Sequence, residues 1–582
     1  MGDSSALLNC VILREAARGE WLRFGPPVRI LTARRIGEVL PALEEVGRLV
    51  REDGVHAAGF VAYEAAPAFD SALAAHPARG PFPLLWFGLY REPAVIALPE
   101  PDFGACALGR LRPAVRREDY AAALARIQDY IRSGDTYQVN YTLRLRGSFR
   151  GDSWNLFLAM VRAQPVGYGA YIDTGRGVVC SASPELFFRT AGGVLTAKPM
   201  KGTAGRGRTT PEDRCQAEWL RRSEKNRAEN LMIVDMIRND LGRVARTGSV
   251  RVPALFEIER HPTLWQMTST VTAECDRPPA EIFRALFPCA SITGAPKIRT
   301  SSIIRELEPE ARGVYTGSIG YLSPGGEAQF NVAIRTALVD RERRSVEYGA
   351  GGGIVADSSA GEEYGEALLK ARVLEERPGG FSLLETLLWT PGEGWFLLGR
   401  HLDRMADSAA YFGYTLDRET LAGRLGRMAA DFSKARKVRI LLDERGEARV
   451  EVAPAAPAGP DPVRLQVAHG AVCSSDPFLY HKTTRREVYA RARRRHPGAE
   501  DVLCVNERGE LTESTIANLV LEVDGGRFTP PVESGLLAGV FRGWLIERGE
   551  ISERVLRPGD LERSTGIWLV NSVRRWRRAV LI

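Results

Sequence analysis

The chain has 582 residues, 44% hydrophobic and 26% charged, and a net charge of +7. That length exceeds what one hydrophobic core supports, so two or more domains are expected in a soluble globular protein. No apolar run is long enough for a transmembrane helix, and Met1-Gly2-Asp3-Ser4-Ser5 lacks the regions of a signal peptide, so a cytoplasmic protein with no membrane partner is expected. Eight scattered cysteines form no Cys-x-x-Cys pair, which argues against a zinc site or a disulfide framework.

Taken in order, residues 1 to about 110 alternate strand-like runs, Val55 to Tyr63 and Leu84 to Tyr90, with loops, and carry no obvious chemistry. Arg117 to Ser133 has the periodicity of an amphipathic helix and leads through Gly134-Asp135 into a strand. Asn226 to Val244 reads as a helix with Leu231, Val234, Ile237 and Leu241 at helical spacing, and Glu362 to Glu375 reads as another. Pro378-Gly379-Gly380 punctuates the chain, and a new pattern begins at Phe381. The loop Ala453 to Pro462 contains four prolines and is expected to join two lobes of the second domain. The arginines at 491, 493, 494 and 495 have no interleaved aromatics, so they read as a solvated helix face and no nucleic-acid partner is expected.

Only eight of the 79 basic residues are lysine, at 198, 201, 225, 297, 370, 434, 437 and 482. Where a generic positive charge suffices, the chain uses arginine. A lysine retained in such a sequence is a candidate for work only an amine can do, as a compact donor or a nucleophile. On the second carboxylate helix, Glu363, Glu366 and Lys370 fall at i, i+3 and i+7 and share a face, while Glu229 lies near the start of the first. Spacing alone fits either ordinary exposed Glu/Lys pairs or two inward carboxylate helices holding one Mg²⁺ through oxygen ligands.

The motifs around these helices are more specific. Gly134-Asp135-Thr136-Tyr137-Gln138-Val139-Asn140, Ser183-Pro184-Glu185-Leu186-Phe187, Pro199-Met200-Lys201-Gly202-Thr203, Ser291-Ile292-Thr293-Gly294-Ala295-Pro296-Lys297, Arg312-Gly313-Val314-Tyr315-Thr316-Gly317, Ala333-Ile334-Arg335-Thr336 and Gly349-Ala350-Gly351-Gly352-Gly353 follow in order. Together they resemble the chorismate-utilising enzymes over roughly residues 115 to 375. The resemblance implies an α+β fold with a layered chorismate-binding domain, a Mg²⁺ site and chorismate as substrate. It implies Glu229 and Glu366 as principal metal ligands, with Glu363 beside them. Tyr315 and Arg335 correspond to a clamp on one substrate carboxylate, which suits the planar arginine fork. Thr293 and the amides of Gly351, Gly352 and Gly353 correspond to the site for the other. The glycine stretch lacks the spacing of a nucleotide loop.

Lys201 separates branches of this family: relatives forming anthranilate carry a small residue there, and those forming aminodeoxychorismate carry lysine. A desolvated neutral amine can attack carbon 2 of the ring and expel the carbon 4 hydroxyl, after which ammonia adds at carbon 4. Glu185 suits the acid that protonates the leaving hydroxyl. Gln266 stands where many relatives have histidine, and Cys289-Ala290 replaces a glycine pair. No Gly-x-Cys-x-Gly elbow is present, so ammonia is expected from a separate glutamine amidotransferase or from solution.

From Phe381 onward, Leu384-Glu385-Thr386-Leu387, Gly399-Arg400-His401-Leu402-Asp403-Arg404, Tyr480-His481-Lys482-Thr483-Thr484-Arg485, Glu513-Ser514-Thr515-Ile516-Ala517-Asn518 and Gly539-Val540-Phe541-Arg542 resemble the fold-type IV pyridoxal-phosphate enzymes. The implied architecture is a two-lobed domain over 381–582, following a first domain over 1–377, with homodimerisation a family expectation. The resemblance implies Lys482 as the lysine that anchors the cofactor and Glu513 as the partner of its pyridine nitrogen. Arg404, Thr515 and the amides of Val540 and Phe541 correspond to the phosphate site. Phe541 stands where most relatives have threonine. Asn571-Ser572-Val573-Arg574 resembles the lyase branch, in which Asn571 and Ser572 face substrate, although Arg575 replaces a usual glycine. The readings left open are a lyase releasing 4-aminobenzoate and pyruvate, an aminotransferase, an anthranilate-forming first domain, and a scaffold in which one domain is inactive.

Overall fold

The computed structural model describes residues 7–374, 380–455 and 462–582. It divides into two compact units, Met1–Ala204 with Trp219–Pro378, and Gly205–Glu218 with Gly379–Ile582. The N-terminal Met1–Ser5, Pro378-Gly379 of the expected break and the middle of the proline-bearing loop lie outside the described residues. Among the described residues no helix is long and apolar enough to cross a membrane.

The first unit is built on two large antiparallel sheets of 11 and 10 strands. Their inner faces share one apolar layer, with Val11, Leu13, Ile172 and Val179 from one sheet against Phe60, Trp86 and Ile319 from the other. Helices cover both outer faces. Ile36–Glu52, Glu224–Gly242 and Pro279–Leu286 bury their apolar stripes on the 10-stranded sheet. Arg117–Arg132, Ser153–Ala163, Lys297–Leu307 and Ala360–Lys370 do so on the other. The result is a helix–sheet–sheet–helix stack.

The reading of residues 1–110 as strands and loops needs correction. The strands His56–Val61 and Leu85–Tyr90 form, but Ile36–Glu52 is a 17-residue helix. Its buried Val39, Leu43, Val46 and Val50 recur at helical spacing, and Pro41 lies inside it. The second carboxylate helix is shorter than its pattern: Ala360–Lys370 is α-helical and Ala371–Leu374 tightens into a 3₁₀ turn.

The second unit has a four-stranded sheet, ordered Gly394–Trp395, Leu383–Thr390, Arg436–Leu442, Ala448–Pro454, with helices Leu398–Phe412 and Arg418–Ala429 packed on it. Its larger sheet of eight strands closes on itself where Leu511–Ser514 pairs with Asn518–Val523, with Glu513 opposite Asn518. Leu465, Leu503, Leu511, Leu519 and Leu569 fill the closed part. The segment Gly205–Glu218, which falls in the middle of the first sequence domain, is part of this unit. Arg206 lies 4.4 Å over the Tyr411 ring and pairs with Asp213, the Tyr411 hydroxyl donates to the Gly207 carbonyl (2.7 Å), and Arg208 donates to the Tyr480 hydroxyl (3.2 Å).

Candidate active sites

The first site is assembled along one strand, Ser345–Ile354, which pairs with Gln138–Gly151 so that Gly351, Gly352 and Gly353 lie opposite Thr142, Tyr141 and Asn140. A Cβ on Gly349 would stand 2.2 Å from the Tyr315 ring. One on Gly352 would meet Glu363 Oε2 at 3.0 Å, and one on Gly353 would meet Gln138 Nε2 at 1.9 Å and Lys201 Nζ at 3.1 Å. Glycine is needed here for close approach: the strand runs past Tyr315, the carboxylate helix and Lys201 in turn.

Lys201 stands on Met200–Gly205 at the edge of the 10-stranded sheet. Its carbonyl accepts from Asn230 (3.2 Å), and the next carbonyl, of Gly202, accepts from Gln266 Nε2 (2.8 Å). The residue that replaces a family histidine therefore secures the Lys201 strand. Burial lowers the Lys201 pKa, opposed by the nearby Glu185 and Glu229 charges and aided by Lys370. Glu185 is 3% exposed and its Oε1 has no hydrogen-bond partner. Burial pushes its carboxyl up to about 7, against the pull of the Ser291 hydroxyl and the Lys201 charge. A buried amine with a depressed pKa thus lies near a carboxyl that burial lifts into the neutral range, an arrangement suited to nucleophilic attack with acid assistance.

Arg335 has a left-handed backbone (φ 50), and no hydrogen bond or ion pair engages its guanidinium among the described residues. Tyr315 is buried, with the Arg144 guanidinium 5.2 Å over its ring, and burial raises its pKa to about 12. Both interact electrostatically with Tyr348. Thr293 is fully buried and donates to the Cys289 carbonyl (2.9 Å). Behind it, Arg312 joins Glu308 (2.6 Å) and donates to the carbonyls of Ile292 and Asn140. Glu64, from the region thought to lack chemistry, accepts from the amides of Arg312 (2.6 Å) and Gly313 (2.8 Å).

Glu229 and Glu363 are raised by burial above all, and the Glu366 charge adds to both shifts. Glu363 accepts from Ser358 (2.8 Å), and Glu366 pairs with Lys370 (2.8 Å), which also donates to the Gly351 carbonyl (2.8 Å). Among the described residues no three His, Cys, Asp or Glu side chains converge closely enough to hold a metal ion unaided.

The second site is a cavity of about 330 Å³ between the two sheets of the second unit. Lys482 lies between Tyr480 and the strand Leu383–Thr390, where the Leu384 amide donates to its carbonyl (2.8 Å). Burial, then the Arg404 charge, lowers its amine to about 8. Glu513 accepts from the Tyr489 hydroxyl (2.6 Å), Asn518 (3.1 Å) and the Leu537 amide (3.2 Å), and burial raises it to about 7. Arg404 forks onto Glu385 with two bonds of 2.8 Å, and His401 Nδ1 meets the same carboxylate at 2.7 Å. Burial alone would raise the Glu385 carboxyl, but the Arg404 and His401 contacts overcome it and hold the pKa at about 2.

Val540 and Phe541 begin the helix Val540–Glu547, whose free amides face the cavity. The Phe541 side chain packs against Phe396 and Trp544. Thr515 lines the cavity, with its hydroxyl bonded to Asp501 (2.5 Å). Asn571, Ser572 and Arg574 lie on the same wall. Arg575 adopts a left-handed backbone (φ 54), the conformation that makes glycine the easier residue there. Gln138, Glu385 and Tyr489 are site residues that the sequence does not single out; only their membership of motifs or their neighbours points to them.

Residues 9–376 match the family model described as chorismate binding enzyme. The chain belongs to that family. Residues 382–582 match the family described as amino-transferase class IV. Aminodeoxychorismate synthase component 1 of Klebsiella aerogenes is 44% identical over 268 residues, covering 46% of this chain and 59% of that protein. Anthranilate synthase component 1 of Aquifex aeolicus is 39% identical over 47% of this chain and 55% of its own length. The chain thus spans somewhat over half the length of these relatives. The anthranilate synthase component I structure from Streptococcus pneumoniae has a TM-score of 0.54 at 24% identity, covering 63% of this chain and 92% of that one, a likeness of fold. Both names match at similar identity, 44% and 39%.

Pyridoxal phosphate, implied by the second family, fits the residues present. The His401 Nε2 atom is buried without a partner, Arg404 and a helix N-terminus converge on one end, and a buried amine and Glu513 lie beyond.

Proposed function

We propose that the region 1–377 aminates chorismate to 4-amino-4-deoxychorismate and that 381–582 releases pyruvate from it to give 4-aminobenzoate, a folate precursor. The observation that carries the reading is Lys201, a buried amine of lowered pKa near Glu185, whose carboxyl burial raises to about 7. Arg335 and Tyr315 would bind one carboxylate of chorismate, and Thr293 with the glycine-strand amides the other. The Lys201 amine forms a bond to ring carbon 2 as the ring double bond shifts and the carbon 4 hydroxyl leaves, taking the Glu185 proton as water. Ammonia then adds at carbon 4, the double bond shifts back, and the lysine is released. A separate glutamine amidotransferase is the proposed ammonia source.

Glu229, Glu363 and Glu366 are hard oxygen donors close enough to raise one another's pKa, and Mg²⁺ would be held by them only with a substrate carboxylate completing the set, since as they stand no three converge on one point among the described residues. It would offset the negative charge of that carboxylate.

In the second unit, pyridoxal phosphate would supply an electron sink for the amine-bearing carbon. Arg404, held by Glu385, and the amides of Val540 and Phe541 would fix its phosphate, and Glu513 its ring nitrogen. Lys482 takes the proton from carbon 4, the bond from carbon 3 to oxygen breaks, and the departing enolpyruvate is protonated to pyruvate as the ring becomes aromatic.

Two single variants of the whole chain test this. Lys201→Ala should leave chorismate unconverted yet still process supplied aminodeoxychorismate, Lys482→Ala should accumulate aminodeoxychorismate, and a mixture of the two should restore 4-aminobenzoate. Amination by Lys201→Ala at the wild-type rate would remove the basis of the reading.

A further inference from the structure

The cavity around Lys482 is far more basic than a cofactor phosphate requires. Seven basic side chains line it against one carboxylate, Glu513. A bound phosphate dianion offsets two of those charges. Several others are committed: Arg404 to Glu385, Arg486 to the Thr515 carbonyl and Arg439 in part to Glu451 (3.1 Å). The side chains of Lys437 and Arg574 line the cavity and make no hydrogen bond or ion pair among the described residues.

The placement of Lys437 follows from strand register. Leu384, Thr386 and Leu388 stand opposite Leu441, Arg439 and Lys437, so Lys437 and Arg439 point to the same face of the small sheet, about 7 Å apart along the strand. The chain at Lys482 is pinned at the Leu384 end. Lys437 therefore lies four strand positions, about 13 Å, from the point where the chain at Lys482 is tied. Lysine is also the rarer choice in this chain, eight against 71 arginines, and Lys437 lines this cavity together with Lys482.

We propose that Lys437, with Arg439 beside it, binds a carboxylate remote from the reacting amine and makes the Lys482 cavity selective for dianionic over monoanionic ring substrates. The inference rests on the reaction proposed above, in which the substrate carries a ring carboxylate para to its amine and a second carboxylate on the enolpyruvyl group. Loss of Lys437 leaves that ring carboxylate without its cation in a partly enclosed site. The compact ammonium can follow the carboxylate as the ring flattens, whereas Arg439 is held by Glu451.

The test uses the whole chain loaded with cofactor and two probes, isophthalate and benzoate, read as changes in the visible absorption of the bound cofactor so that only the second unit reports. The wild type should bind isophthalate about tenfold more tightly than benzoate, as expected for one added charge-assisted contact. Lys437→Met should remove the preference and Lys437→Arg should retain most of it. An unchanged preference in Lys437→Met, or an equal loss in Lys437→Arg, overturns the proposal. A wild type that prefers isophthalate but makes no 4-aminobenzoate would sink the proposed reaction and leave this charge recognition standing; 4-aminobenzoate formation without the preference would do the reverse.

Discussion

Replacing Glu185 by glutamine should make the first unit more stable and nearly inactive at the same time. Burial raises the carboxyl from its ordinary 4.5 to about 7, so the folded protein holds a proton that the unfolded chain has lost between those values. Stability from this group is fully present below pH 4.5 and is lost as pH rises through 7. A shift of roughly 2.5 units corresponds to ~3.4 kcal/mol at alkaline pH. At pH 5 about 0.8 kcal/mol of that cost is already incurred, and by pH 8 nearly all of it. Glutamine keeps the shape and does not titrate. The variant's advantage over wild type should therefore grow by ~2.5 kcal/mol between pH 5 and pH 8. For a unit of this size that is about 3 °C in the first thermal transition. Loss of the acid should lower the amination rate about 10² to 10⁴-fold. The assay pairs calorimetry at the two pH values with aminodeoxychorismate formation. A variant that loses stability at pH 8, or keeps wild-type activity, would refute the placement of a protonated acid at this position.

Gly353→Ala should cost the amination step over about 100-fold, because the new Cβ falls 1.9 Å from Gln138 and 3.1 Å from Lys201 and displacement of a reacting group is severe; supplied aminodeoxychorismate should still be consumed, which separate assays of the two steps will check. Glu385→Gln should destabilise the second unit by ~3 kcal/mol at neutral pH. Because the Glu385 carboxyl is held at about 2, its stabilisation is present above pH 4.5 and lost as pH falls through 2, so the difference from wild type should shrink by about half at pH 3, measured by chemical denaturation.

The residues that the structure gathers at the two candidate sites were largely legible because their motifs recur in a fixed order, and scarcity of lysine marked the two buried amines. The carboxylate helices were legible from spacing. What each carboxylate does was not: Glu363 and Glu366 sit three residues apart, yet one is half-buried against Ser358 and the other is exposed on Lys370. Gln138 and Glu385 lie inside recognised motifs, but a side chain's role depends on what faces it across sheets, and spacing along one strand does not carry that. The helix Ile36–Glu52 was legible in principle, since Val39, Leu43, Val46 and Val50 have helical periodicity, and was obscured by the strand-like runs beside it. Nothing local in Gly205–Glu218 foretells its packing on Tyr411 and Tyr480; those contacts are separated by some 200 residues or more and exist only in the fold.

The measurement closest to the central claim is identification of the product by chromatography and mass spectrometry after the purified chain is given chorismate, ammonium, Mg²⁺ and pyridoxal phosphate. The account predicts 4-aminobenzoate and pyruvate in equal amounts. Formation of 2-aminobenzoate would contradict the reading of Lys201, and accumulation of aminodeoxychorismate would contradict the elimination assigned to Lys482.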